Sequence, residues 1–224
     1  MSEIEGWLTV AQAARLAACA SRPRPAGAVV EIGSFRGRST VVLARAAGAV
    51  VAIDPHAGSD RGPQEIEADA SRGDDDFRVF HANLEAAGVR DAVRHVRKFS
   101  ADALGDVPEP ISLLYVDGAH RFGPAREDLH DWGARVVPDG TMLVHDSFSS
   151  IGVTLALFTL RGWRYVGRSG SLAEFRREPG RLYGPMVRQL PWFARNVAIK
   201  VLVVAGRRSW AERIGLDPAA PWPY

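Results

Sequence analysis

Short, almost wholly apolar runs alternate along the chain with longer segments in which apolar residues recur every three or four positions. "AGAVVEIG", "AVVAID", "ISLLYVDGAH" and "TMLVHD" are the short runs. Unbroken apolarity over so few residues predicts strands buried on both faces. "LTVAQAARLAACAS" reads as a helix, with Thr9 and Gln12 at capping-box spacing and an end before Pro23. "STVVLARAAG" is a second helix, closed by Gly48. "DDDFRVFHANLEAAGV" is a third, with three acids at its positive end. Pro124 opens a fourth, "PAREDLHDWGARV", and "IGVTLALFTL" is a fifth. "AVRHVRKFSA" reads as another strand, and "WRYVGR" and "SLAEFRR" as two more about Ser169-Gly170. Residues 56–73 are polar and loop-like, and "PDG" before "TMLVHD" is a turn.

This alternation predicts an α/β fold: a doubly wound, mostly parallel sheet with helices on both faces and a late antiparallel hairpin. Residues 1–180 form the main domain, with 1–24 as its N-terminal helix, and 181–224 are a basic extension. In such sheets ligands bind beyond the carboxyl ends of the strands. Four strands end in polar residues at that edge: Glu31, Asp54, Asp117 and the pair His145-Asp146.

Composition narrows the class. The chain has 224 residues, 46% hydrophobic and 24% charged, as in an ordinary globular protein. A net charge of +2 makes no strong demand for nucleic acid. The charge is uneven, +5 from Arg181 onward and −3 before it. Cys19 is the only cysteine, flanked by alanines, so no internal disulfide forms and the thiol reads as buried. The acidic start "MSEIEGW" argues against a secretory signal, and no run of about 18 apolar residues predicts a membrane span. A cytoplasmic protein is expected. Lysine occurs only at 98 and 200 in a chain rich in Ala and Gly, the usage of a GC-rich bacterial genome.

Gly33 and Gly37 leave the strand-to-helix turn without side chains, so backbone and ligand can approach closely. Asp54 follows Gly33 by 21 residues, at the end of the next strand, where a carboxylate accepts from ribose hydroxyls. A nucleoside ligand follows. A dinucleotide fingerprint fits poorly, because Phe35 occupies the second-glycine position and no Tyr-x-x-x-Lys pair exists.

The form Glu31-x-Gly33-x-x-x-Gly37 resembles motif I of class I S-adenosylmethionine-dependent methyltransferases. "ISLLYVDGAHRFGPAREDLHDWGARVVPDGTMLVHDSF" resembles the D-G-x-H, D-x-x-x-W, P-x-G, H-D pattern of metal-dependent sugar and antibiotic O-methyltransferases of the macrocin and cephalosporin-pathway type. The resemblance covers about residues 25–180 and implies a Rossmann-like, seven-stranded sheet. It implies S-adenosylmethionine as cofactor, held by Glu31, Gly33, Ser34, Gly37, Ser39, Asp54, His56, Ser100, Ala101 and Asp117. It also implies a divalent cation on Asp117, His145 and Asp146. Mg²⁺ is the first expectation, although a nitrogen donor at His145 suits Mn²⁺ or Co²⁺ better. His120 is the expected general base, with His145 the second candidate. The implied acceptor is a sugar hydroxyl, in actinobacterial polysaccharide or glycolipid synthesis. Arg36, Arg38 and Arg61 are candidate acceptor contacts, while His81 and His130 read as solvated or packed helix residues and His95 as a strand residue.

The extension "MVRQLPWFARNVAIKVLVVAGRRSW" leaves three readings open: a helix packed on the domain or on a second subunit of a homodimer, a basic amphipathic helix meeting an anionic membrane through 188–210, or a lid over the acceptor site. Steps of seven place Arg181, Arg188 and Arg195 on one helical face. Two other functions stand beside methyl transfer: a nucleotide- or NAD-dependent sugar-modifying enzyme, and a non-catalytic scaffold of methyltransferase fold.

Overall fold

The computed structural model describes residues 4–59, 67–178 and 183–218. Arg61 and Arg181 lie outside the described residues. Seven strands form one sheet: β1 (Ala28–Ile32), β2 (Val50–Ile53), β3 (Val93–Val96), β4 (Ile111–Val116), β5 (Val136–Val144), β6 (Arg164–Ser169) and β7 (Leu172–Arg176). Their order is β3-β2-β1-β4-β5-β7-β6. The first five are parallel, and β7 pairs antiparallel with both β5 and β6. The doubly wound sheet with its late hairpin is as the apolar pattern predicts.

Helices α1 (Val10–Ser21), α2 (Arg38–Ala47), α3 (Ala70–Ala86), α4 (Phe122–Glu127) and α5 (Ile151–Leu157) cover the sheet. Alternation along the strands divides the core. Val30, Ile32, Leu114 and Val116 pack with Trp132 and Trp163 on one face; Val29, Leu113 and Tyr115 pack with Leu16, Val41 and Phe80 on the other. The capping box at Thr9 and Gln12 forms, and Gly48 closes α2 in the left-handed conformation. Glu174 of β7, buried on that second face, accepts from Arg15 (2.7 Å) and Arg22 (2.6 Å), tying the N-terminal helix to the last hairpin. Cys19 is buried, and burial first of all pushes its thiol up to about 12.

Several boundaries differ from the sequence reading. Asp69 caps α3 by accepting from the Arg72 N–H, so the helix starts at Ala70. Asp74, Asp75 and Asp76 therefore miss the first turn; Asp74 pairs with Arg97, and Asp75 and Asp76 with Arg36. Helix α4 starts two residues before Pro124, which costs nothing, because the first four helical N–H groups lack intrahelical acceptors. It continues into a π-turn, Asp128–Trp132. Strand β5 absorbs "PDG" as a bulge, with Asp139 at φ 60°. Strand β3 stops at Val96, and Ser100–Asp102 is a 3₁₀ turn.

The extension folds as α6 (Tyr183–Val187), α7 (Leu190–Val204) and α8 (Arg208–Arg213). Pro191 near the start of α7 lacks an N–H, and the chain breaks at Arg188-Gln189. Arg188 and Arg195 therefore do not share one continuous helical face, contrary to the seven-residue spacing. Asn196 anchors α7 by donating to the Phe148 carbonyl (3.1 Å), and the Arg168 guanidinium lies 3.8 Å over the Trp192 ring. No described helix is long and apolar enough to cross a membrane.

Candidate active site

A cavity of about 410 Å³ opens over the carboxyl ends of β1, β2, β4 and β5. At its floor Gly33 has φ +84°, and a Cβ there would stand 2.1 Å from the Asp117 carbonyl oxygen. The glycine thus lets the ends of β1 and β4 meet, which sets the position of Asp117. Gly37 (φ +88°) is less crowded: a Cβ there would stand 3.2 Å from the Phe80 ring.

Asp54 joins two loops. One carboxylate oxygen accepts from the Phe35 N–H (2.8 Å) and the other from the His56 N–H (2.7 Å). His56 Nε2 in turn bonds the Phe35 carbonyl (2.8 Å), which requires the proton on Nε2. Phe35 and His56 both have positive φ, at 45° and 46°. Such backbone costs about 1–3 kcal/mol per residue and persists where surrounding bonds over-determine it. The β1–α2 and β2–α3 loops are thereby fixed around the cavity.

The second cluster sits at the ends of β4 and β5. Asp117 accepts from the Tyr115 hydroxyl (2.8 Å), and Asp146 from Ser149 (2.7 Å). Burial, then the neighbouring Asp117, raises the Tyr115 phenol well above its usual value and keeps it a donor. His120 Nε2 lies 2.7 Å from Asp146 Oδ2. Burial pulls the His120 pKa down, but the hydrogen bond and charge of Asp146 outweigh it, and the net shift is upward. His145 Nδ1 lies 3.1 Å from Asp117 Oδ1 and 3.5 Å from Asp146 Oδ2, off the line of a hydrogen bond. Burial opposes charge on His145 as well, and the two carboxylates prevail, raising it well above 6.5. Asp146 shows the converse: burial alone would raise it, yet His145 and His120 hold it well below the carboxylate range.

The expected site residues divide accordingly. Gly33, Asp54, His56, Ser100, Ala101, Asp117, His120, His145 and Asp146 line one cavity. Glu31, Ser34, Gly37 and Ser39 do not. Glu31 has no exposed surface and accepts from the hydroxyls of Ser39 and Thr40, beneath the glycine loop. Burial pushes its carboxyl up to about 8, against those two hydrogen bonds. Its hold on the cavity runs through the start of α2. His56 packs its ring among Phe77, Phe80 and His95, where burial drops His95 to about 3. His81 joins that cluster, and His130 bonds Thr159, so both are packing residues. Arg36 binds acids and Arg38 the carbonyls of Ile4 and Gly6; neither lines the cavity.

Among the described residues the donor atoms within 4.8 Å of one another belong to Asp117, His120 and Asp146. His145, expected as a ligand, is not in that set; its side chain is 1% exposed, whereas His120 is 23% exposed and reachable. Asp128 and Lys200 also line the cavity without having been assigned a role. The π-turn places Asp128 there, where Ser100 donates to it (2.5 Å) and burial raises its carboxyl to about 6. Asp128 is the first residue of the D-x-x-x-W spacing, which was its one sequence signal. Lys200 had none.

Comparison with known proteins agrees with this geometry. Among solved structures, the O-methyltransferase NovP superposes at a TM-score of 0.61 and 16% identity, covering 77% of this chain and 83% of that one. The O-methyltransferase TomG from Streptomyces achromogenes, in complex with SAM, gives 0.56 at 18% identity, over 78% and 82%. CalS11, a TDP-rhamnose 3'-O-methyltransferase of calicheamicin biosynthesis, gives 0.51 at 17%, over 75% and 81%. These likenesses establish a shared fold. The family model described as "Methyltransferase domain" matches residues 30–147, from β1 through the end of β5, and takes in both clusters. With more than half its length matched, the chain belongs to the methyltransferase-domain family.

Proposed function

We propose that the protein transfers the methyl group of S-adenosylmethionine to a hydroxyl of a sugar, in a polysaccharide or glycolipid precursor, with a divalent cation at Asp117 and Asp146. The observation that carries this is the convergence of Asp117, His120 and Asp146 in the cavity that Asp54 and Gly33 also line. The residues fit the cofactor. Asp54 stands at the end of β2, each of its oxygens keeping acceptor capacity for a ribose. Trp7 and Phe35, 5.1 Å apart, offer an aromatic wall. They fit a cation too: hydroxyls of Tyr115 and Ser149 orient the two carboxylates, and Asp146 stays ionised.

The sulfonium supplies the methyl group, and a bound cation lowers the pKa of a hydroxyl on it. His120 is the accessible imidazole, and Asp146 sets its ring and favours protonation, as a base receiving the hydroxyl proton requires. Buried His145 lies between the two carboxylates, whose charges favour its protonated form. A sugar acceptor is supported by the structural likeness to CalS11, a TDP-rhamnose 3'-O-methyltransferase.

The test is transfer of labelled methyl from S-adenosylmethionine to a panel of mono- and oligosaccharides, with and without EDTA. Product that depends on added Mg²⁺ or Mn²⁺ is expected. Replacing His120 by Ala should lower kcat by about 10²–10⁴ while S-adenosylhomocysteine affinity changes little. Equal loss of cation affinity in that variant would make His120 a ligand. Tight binding of NAD⁺ without S-adenosylhomocysteine would sink the reading.

A further inference from the structure

Lys200 lies on α7, far outside the matched segment 30–147, yet it lines the same cavity as His120 and Asp146. It is half-buried. Among the described residues its ammonium has no hydrogen-bond or ion-pair partner, whereas Arg15, Arg22 and Arg36 are each paired. Burial is the main influence on it and lowers its pKa; Asp146 is the charge that opposes this. Asp146 accepts from Ser149 and bonds His120, and makes no ion pair with Lys200. Asn196, one turn earlier on the same face of α7, is held at the Phe148 carbonyl, two residues after Asp146, so Lys200 enters the cavity from the end of β5.

A lysine that serves only as packing lays its stem on apolar surface and sends its head to bulk water. Here the side chain lines a ligand cavity and loses part of its hydration with no protein partner in exchange. An anion on the bound acceptor would supply the missing partner.

We propose that Lys200 is the anion-recognising residue of the acceptor site, so that the acceptor bears a phosphate or a carboxylate as well as the hydroxyl that is methylated. The proposal rests on the methyl-transfer reading for the identity of that pocket. A charge-assisted bond of this kind contributes about 1.5–3 kcal/mol, or roughly tenfold to a hundredfold in affinity.

Calorimetry on the full chain tests it, with and without S-adenosylhomocysteine, using glucose 1-phosphate, glucuronate and neutral methyl glucoside. One of the two anionic sugars should bind at least about tenfold tighter than methyl glucoside, and which one identifies the anion. Lys200→Gln should abolish the preference and Lys200→Arg should keep it, with S-adenosylhomocysteine affinity within about twofold throughout. The proposal is overturned by no preference in the native protein, by a preference that survives Lys200→Gln, or by loss in Lys200→Arg, which would make the amine a base. It is also overturned if Lys200→Gln weakens S-adenosylhomocysteine by the same factor, since the lysine would then serve the cofactor. Should S-adenosylhomocysteine fail to bind while the Lys200-dependent preference persists, the methyl-transfer reading falls and the anion site stands.

Discussion

Glu31 offers the sharpest physical test. Its carboxyl has no exposed surface, and its folded-state pKa is about 8 against 4.5 for the free group. Burial is the main cause, with the charges of Asp117 and Asp54 adding to it and the Ser39 and Thr40 hydroxyls opposing. The folded protein therefore holds a proton that the unfolded chain releases. Stability from this group is fully present below pH 4.5 and is lost as pH rises toward 8. At about 1.4 kcal/mol per pH unit the whole effect is on the order of 5 kcal/mol. Glu31→Gln keeps the shape, accepts from one hydroxyl and carries no proton to lose, so it removes the dependence. Urea unfolding of both proteins between pH 5 and 8, in EDTA, measures the difference, and other titrating groups cancel. The variant should gain on the native protein by several kcal/mol across that range. Parallel stability curves would refute the argument, because they would mean that Glu31 is charged or hydrated in the fold.

Other expectations follow from particular contacts. Gly33→Ala adds a Cβ 2.1 Å from the Asp117 carbonyl oxygen at φ +84°, so destabilisation of about 2–5 kcal/mol and loss of turnover are expected; a thermal melt within a degree of native would contradict this. Asp54→Asn lets one backbone N–H of Phe35 or His56 face an amide N–H₂, and S-adenosylhomocysteine affinity should fall about tenfold or more by calorimetry. Glu174→Gln replaces a buried carboxylate between Arg15 and Arg22; a loss of about 2–4 kcal/mol in chemical unfolding is expected, with kinetic constants for methyl transfer unchanged. If kcat fell as well, α1 would be coupled to the site in a way these contacts do not explain.

The sheet was legible because its strands are apolar throughout: β1, β2, β4 and β5 have no solvent face over most of their length, so periodicity alone marks them. The strand-end acids were legible because a charge there has no core partner in the strand itself. What Glu31 does was not legible, since the same spacing serves a residue that faces a ligand or one that braces a helix start. Helix starts at Ala70 and Phe122 were missed because Asp69 and Pro124 compete with neighbouring signals of equal local strength. His120 was already the expected base from its place in D-G-x-H; its greater exposure than His145 depends on tertiary packing and leaves no trace in either motif. Lys200 is a matter of tertiary placement alone, 54 residues beyond Asp146 in an apolar helix.

Helix α7 is fastened to the domain by Asn196 at the Phe148 carbonyl and by Trp192 beneath Arg168, and it shares no ladder with the sheet. The proposed acceptor contact at Lys200 and the loops after β1 and β2 thus lie on separable stretches of polypeptide. Replacing that terminal segment while keeping the two anchor points would alter the proposed acceptor contact and leave the Asp54 bonds between the β1 and β2 loops in place.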